Sequence, residues 1–138
     1  MDGKTVPVYG EGLNVRDWLY VQDHCSAIEL IITQGKLHQT YLIGGLSHDV
    51  SNLELARMII SLMGKDESAI RFVTDRPGHD LRYAVDWSFI QSELGWSPSV
   101  TLEQGLERTI AWYQQNESWW RPLKEANKHY FEEKYGNS

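Results

Sequence analysis

The chain has 138 residues and a formal charge of −6, from 13 Lys and Arg against 19 Asp and Glu. That length supports one domain with a real core, and the acidic balance argues against nucleic acid or an anionic membrane as the main partner, while a small anion held by local arginines stays compatible. The single cysteine, Cys25, rules out a disulfide framework and a thiol metal cluster, and no apolar run or leader pattern points to a membrane, so a cytoplasmic protein without a bound metal is expected.

Taken in order, Val6 to Tyr9 reads as a short strand and Gly10-Glu11-Gly12 as the loop after it. Arg16 to Val21 alternates charge with bulk and predicts a second extended piece. Asp23 is placed as the N-cap of a helix through Ala27, Ile28, Ile31 and Ile32 that stops near Gly35. Thr40 to Ile43 predicts a strand ending at Gly44-Gly45. Ser51-Asn52-Leu53-Glu54 fits a capping box, with Leu53, Ala56, Ile60 and Met63 as one apolar stripe and Gly64 as the stop. Ile70 to Val73 is a strand and Arg82 to Val85 a short extended run. Asp86 predicts the cap of a helix ending at Gly95, and Thr101-Leu102-Glu103-Gln104 a second capping box. Residues 117–138 are amphipathic and aromatic, a partial helix that needs a surface to lie on. The fold class is therefore a small mixed α/β lobe of short strands and helices, without a long sheet of its own.

The stretch richest in chemistry is Asp75-Arg76-Pro77-Gly78-His79-Asp80, directly after the strand at Ile70 to Val73. Pro sets its own φ and Gly accepts positive φ, so Pro77-Gly78 predicts a tight turn that holds Arg76 and His79 close together with their tips free. A guanidinium offers a planar fork suited to phosphate, and an imidazole adds a donor or titrates near neutrality. The turn reads as an anion site, most naturally for a diphosphate. The competing reading is a surface turn in which Asp75 and Asp80 cap local backbone and Arg76 pairs with one of them.

Further residues carry a likeness. Pro7-Val8-Tyr9-Gly10-Glu11-Gly12, Arg16-Asp17-Trp18-Leu19-Tyr20-Val21, Asp23-His24 and Tyr41-Leu42-Ile43-Gly44-Gly45 follow one another in the order typical of extended short-chain dehydrogenases/reductases. With the turn at 75–80, Arg82-Tyr83-Ala84-Val85-Asp86 and Leu94-Gly95-Trp96-Ser97-Pro98, the chain resembles the dTDP-glucose 4,6-dehydratase family from about residue 6 to residue 116, and more loosely beyond. Leu42 departs from the family, which often has Asn there.

The resemblance implies a fold and a function. The fold is the substrate-binding subdomain of such an enzyme without its Rossmann sheet, carried by residues 1–116, with 117–138 as a tail and the N-terminal NAD-binding domain absent. The parent reaction is NAD-dependent dehydration of dTDP-glucose to dTDP-4-dehydro-6-deoxy-glucose. NAD would belong to the parent, with none bound by this fragment, which is expected to be inactive alone. A Gly-x-x-Gly-x-x-Gly loop after a strand is lacking, and Tyr130 and Lys134 reproduce the family's Tyr-x-x-x-Lys spacing only by coincidence.

Carried over by matching position, Pro7, Val8 and Tyr9 imply the base pocket and Arg16 a diphosphate contact. Asn52 implies a ligand contact at a helix start. Asp75, Arg76, Pro77, Gly78 and His79 imply the diphosphate and sugar turn, and Tyr135 a tail contact to the nucleotide. Each has a purely structural alternative: strand packing for Tyr9, a salt bridge for Arg16, helix capping for Asn52, a stranded tail for Tyr135. The expected partners are a dTDP-sugar and the chain's own Rossmann domain, with self-association through the interface that domain would cover. The alternatives are the same lobe of another nucleotide-sugar epimerase or dehydratase, GDP-mannose dehydratase included, and a non-catalytic nucleotide-binding or interaction module.

Overall fold

A computed structural model describes residues 3–45 and 48–128. Its first strand, β1 (Val6–Tyr9), pairs in parallel with a strand more than sixty positions later, Ile70–Val73, in the register Val6↔Ile70 to Tyr9↔Val73. Between them lie β2 (Val15–Arg16), α1 (Val21–Gln34), β3 (Val50–Ser51) and α2 (Asn52–Leu62), so Ile70–Val73 is β4. Parallel partners need a long crossover, and α2 with a short 3-10 turn at Glu67–Ala69 leads the chain back into β4. β2 and β3 form a second, antiparallel pair, Val15↔Ser51 and Arg16↔Val50. The backbone of Val15 also bridges to Arg82 beyond the turn: its N–H donates to the Leu81 carbonyl at 2.7 Å, and its own carbonyl accepts from Tyr83 N–H at 3.0 Å.

The local signals set α2 as read. Ser51 Oγ accepts from Glu54 N–H while the Glu54 carboxylate accepts from Ser51 N–H, closing the capping box. At the other end Gly64 lies at φ +66, with Gly64 N–H on the Ser61 carbonyl and Lys65 N–H on the Ile60 carbonyl, the two bonds of a Schellman stop. Ala56 and Ile60 of the stripe are buried with Val8 and Val50. A second cluster centres on Ala27, Ile90 and Trp96, where α1 meets α3 (Ser88–Leu94), and Trp96 Nε1–H donates to Ser26 Oγ at 3.0 Å. The second capping box opens α4 (Leu102–Gln115). The aromatic stretch beyond it finds its surface there: α5 (Glu117–Ala126) sets Trp119 against Trp112 and Trp120 against Tyr113. Among the described residues no helix is long and apolar enough to cross a membrane.

Five sequence expectations need correction. The extended piece at Arg16 to Val21 shortens to Val15–Arg16, because Val21 already begins α1. Asp23 is not the N-cap: Tyr20 holds that position, and the Asp23 carboxylate is buried, accepting from Ser99 Oγ at 2.5 Å. A local cap lost to a tertiary partner. Thr40 to Ile43 is not a strand, since a strand needs a hydrogen-bonded neighbour and no described residue supplies one there; Asp17 instead ties the segment down by accepting Gly45 N–H at 2.8 Å. Arg82 to Val85 pairs only at the Arg82 bridge, and the cap position of α3 falls to Trp87, with Asp86 accepting Ser88 N–H from one residue further back.

Candidate functional site

The turn at 75–80 hangs from the end of β4. Gly10 N–H donates to the Val73 carbonyl at 2.9 Å, which brings the loop after β1 against the turn, and a Cβ on Gly10 would lie 3.2 Å from Asp75 Oδ2. Asp75 Oδ1 accepts from Arg76 N–H at 2.8 Å and from His79 Nδ1–H at 2.7 Å. The bond from His79 is the main reason the Asp75 carboxyl is held below its ordinary value, with the Arg76 N–H adding to it against partial burial. Gly78 takes φ +70, as the Pro-Gly turn requires. The expectation of two free tips fails for His79 and holds for Arg76. The His79 side chain is only 7 % exposed, clamped by Asp75 and by the Tyr9 ring edge-on at 6.1 Å. Arg76 is exposed.

Arg16 reaches the same turn from β2. Its Nη2–H donates to the Asp80 carbonyl at 3.1 Å, its Nη1–H donates to the Val15 carbonyl at 2.6 Å, and its Cζ stands 4.7 Å over the Tyr83 ring. The Tyr83 hydroxyl donates to the Asp80 carboxylate. That bond and burial raise the phenol's pKa, while the positive charges of Arg16 and Arg76 both pull it down. Arg16 therefore meets the end of the turn that carries Arg76.

The Asp80 carbonyl also accepts from Asn14 Nδ2–H at 3.2 Å, and the Asn14 carbonyl accepts Asn52 N–H at 2.8 Å. Asn14, buried to 5 % exposure, thereby links the turn to the start of α2. There Pro7, Val8, Tyr9 and Asn52 line a cavity of about 240 Å³ together with Trp18 and Leu55. Ser51 and Glu54 complete the capping box between them, so the Asn52 side chain is not needed for it, and Asn52 Oδ1 is buried without a hydrogen-bond partner among the described residues. A mostly apolar slot with a buried, unpartnered acceptor at Asn52 beside it is compatible with a nucleobase, which presents two faces and an edge N–H. A polar cavity of about 210 Å³ adjoins Arg16, lined by Asp17, His48, Asp49 and Arg82. Tyr9 belongs to both halves, facing the slot and touching His79. Tyr135 lies outside the described residues, as do Tyr130 and Lys134.

Asn14, Asp80 and Tyr83 escaped the sequence reading as site residues. Asn14 is a polar residue between Leu13 and Val15, and the alternation of Arg82 and Tyr83 put one of them on the Arg16 side; both were usable signals.

The sequence model of the GDP-mannose 4,6 dehydratase family matches residues 1–109. The chain belongs to that family. Its relatives within the family include the dTDP-glucose 4,6-dehydratase of Mycolicibacterium smegmatis, 50 % identical over 97 % of this chain and 40 % of the relative. Among solved structures, dTDP-glucose 4,6-dehydratase from Bacillus anthracis in complex with NAD is 49 % identical and superposes with a TM-score of 0.81 over 88 % of this chain and 38 % of that one. The enzyme from Streptomyces venezuelae, with NAD and TYD bound, is 45 % identical with a TM-score of 0.82 over the same shares. The fold is thus that of part of an extended short-chain dehydrogenase/reductase, and this family member spans about 38–40 % of the length of the relatives it matches. The described residues do not fit NAD. The glycine loop after β1 runs into β2 rather than a helix N-terminus, and β1 pairs only with β4 among the described strands, so neither the phosphate cradle nor the wide parallel sheet of a dinucleotide site is formed.

Proposed function

We propose that the chain is the nucleotide-diphosphate-binding part of a dTDP-glucose 4,6-dehydratase, a lyase that converts dTDP-glucose to dTDP-4-dehydro-6-deoxy-glucose in the cytoplasm. In this reading residues 1–116 carry the site, and NAD is held by the portion of the relatives that this chain does not match. The observation that carries the reading is the Asp80 carbonyl, which gathers Arg16 directly and Asn52 through Asn14 around one turn. Arg16 and Arg76 compensate the charge of the two phosphates, the slot beside Tyr9 takes the thymine, and His79 meets the ligand. These groups bind and orient the substrate, which places its sugar for chemistry done elsewhere.

The remaining partner is the rest of the enzyme. Val21, Ile28 and Ile32 fall on one stripe of α1, turned away from the buried Ala27, and are 62 %, 42 % and 78 % exposed. Such a stripe is expected to pack on the NAD-binding portion, or on a second copy when this chain is alone.

Calorimetric titration of the chain with dTDP, UDP and GDP tests the function. dTDP is expected to bind best, and Arg16→Ala to weaken it by about tenfold to a hundredfold, the worth of a charged hydrogen bond to phosphate. Equal affinity in the variant sinks the site. The family match to GDP-mannose 4,6 dehydratase favours a second reading, a GDP-sugar enzyme, and a preference for GDP would establish it. No binding of any of the three would leave a non-catalytic interaction module.

A further inference from the structure

Resting on the reading above, we propose that Tyr83 is a positioning residue: its ring and hydroxyl hold the Arg16 guanidinium in the plane from which it meets the diphosphate.

The seat has three points. The Tyr83 ring lies under the guanidinium, with Arg16 Cζ 4.7 Å from the ring centroid, within the range of a cation–π contact. The Asp80 carbonyl accepts Arg16 Nη2–H at 3.1 Å, and the Val15 carbonyl accepts Nη1–H at 2.6 Å. The Asp80 carboxylate accepts the Tyr83 hydroxyl, so one residue fixes both the arginine and the ring beneath it. Of the five N–H groups on a guanidinium these bonds take two, and the others stay available for phosphate oxygens.

The platform is itself anchored. Tyr83 N–H donates to the Val15 carbonyl at 3.0 Å, directly beside Arg16 in sequence. On the other side of the same short run, Arg82 makes a two-pronged ion pair with Asp49, Nε to Oδ2 and Nη2 to Oδ1 at 2.9 Å each. The Arg82 pair pins the run through Asp49 without taking either carbonyl that Arg16 uses. Tyr83 is 55 % exposed, which separates its task from core packing. An arginine without such a platform samples many rotamers and must give that freedom up on binding. A ring pre-orders it.

The test uses the full 138-residue chain. Tyr83→Phe keeps the ring and loses the bond to Asp80; Tyr83→Leu loses both. Affinity for dTDP, measured by calorimetry, is expected to fall roughly tenfold in Tyr83→Leu and no more than about threefold in Tyr83→Phe, while affinity for thymidine, which lacks the phosphates, stays unchanged in both. In an Arg16→Ala background, Tyr83→Leu should cost nothing further, because the group it positions is gone. The Arg16 Nε–H proton in nitrogen-resolved NMR should show a ring-current shift that persists in Tyr83→Phe and vanishes in Tyr83→Leu. Wild-type binding of dTDP with an unchanged Tyr83→Leu overturns the role of Tyr83 alone. So does an equal loss in the Arg16→Ala background, or a matching loss for thymidine, since either is the mark of general unfolding. Failure of the wild-type chain to bind dTDP overturns the functional reading and the role of Tyr83 with it, whatever the NMR shows of the seat.

Discussion

Gly12→Ala is the substitution whose cost the structure defines most sharply. Gly12 lies at φ +71, and an added Cβ would sit 2.6 Å from Val8 Cγ1 and 2.9 Å from Leu53 Cβ, well inside the roughly 3.5–4.0 Å at which carbon atoms rest. Val8 is buried and β-branched, hence stiff about χ1, while Leu53 Cβ moves only if α2 moves. Relief must come from parting β1 from the start of α2, where Gly12 O also accepts Leu53 N–H at 2.9 Å. Gly64→Ala is the control, because Gly64 has nearly the same φ, +66, with nothing within 4 Å of the added carbon. Both variants bear the left-handed backbone cost of about 1–2 kcal/mol, and both gain alike from a stiffer unfolded chain. Only Gly12→Ala adds overpacking, about 1–3 kcal/mol. Urea denaturation of the two should therefore separate by that amount, with Gly12→Ala the weaker. Because Val8 and Asn52 line the same slot, its affinity for dTDP should fall as well. Equal midpoints for the two variants would refute the reasoning, showing that the strand and helix are not in the close contact described.

Ile90→Ala should cost about 2–5 kcal/mol, since Ile90 is fully buried between α1 and α3 and its removal leaves a void beside Ala27 and Trp96; a loss under about 1 kcal/mol in the same denaturation assay would mean that cluster is not a core. Ser51→Ala removes an N-cap bond to Glu54 N–H and should cost about 1 kcal/mol, with Ser51→Asp restoring most of it; an unaffected midpoint would deny the capping box its role. The acid limb of stability has a definite sign. The Asp75 carboxyl is lowered in the folded protein from its ordinary 3.8, chiefly by His79, so its contribution is complete above that value and lost as pH falls through the lower folded value. The Asp49, Glu54, Asp66 and Asp86 carboxyls are lowered too and lose their contributions in the same direction. Asp75→Asn should flatten the fall in stability below about pH 4 and release the His79 ring, seen as broadened or shifted imidazole signals. An acid limb identical to wild type would rule out the bond as a stabiliser.

What could be read from the chain alone was whatever a few neighbouring residues settle among themselves. Ser51 with Glu54, Thr101 with Gln104, Gly64 at the end of α2 and Pro77-Gly78 after β4 all obey rules that span six residues or fewer, and each stands where the sequence put it. The apolar stripe that buries Ala56 and Ile60 has the same origin, a period of one helix. The tertiary structure decided everything that depends on a partner far along the chain. Asp23 abandons the helix cap for Ser99, seventy-six positions on; Asn14 and Arg16 find the Asp80 carbonyl across sixty-six and sixty-four. Thr40 to Ile43 has strand composition but no paired strand among the described residues, and His79 is clamped between Tyr9 and Asp75 rather than left free. Composition names the groups capable of holding a diphosphate. Only the closing of β1 on β4 and of Val15 on Leu81 and Tyr83 brings Asn14 and Arg16 to the Asp80 turn, because hydrogen-bond partners at that separation are chosen by the packing of the whole chain and leave no mark on the residues next to them.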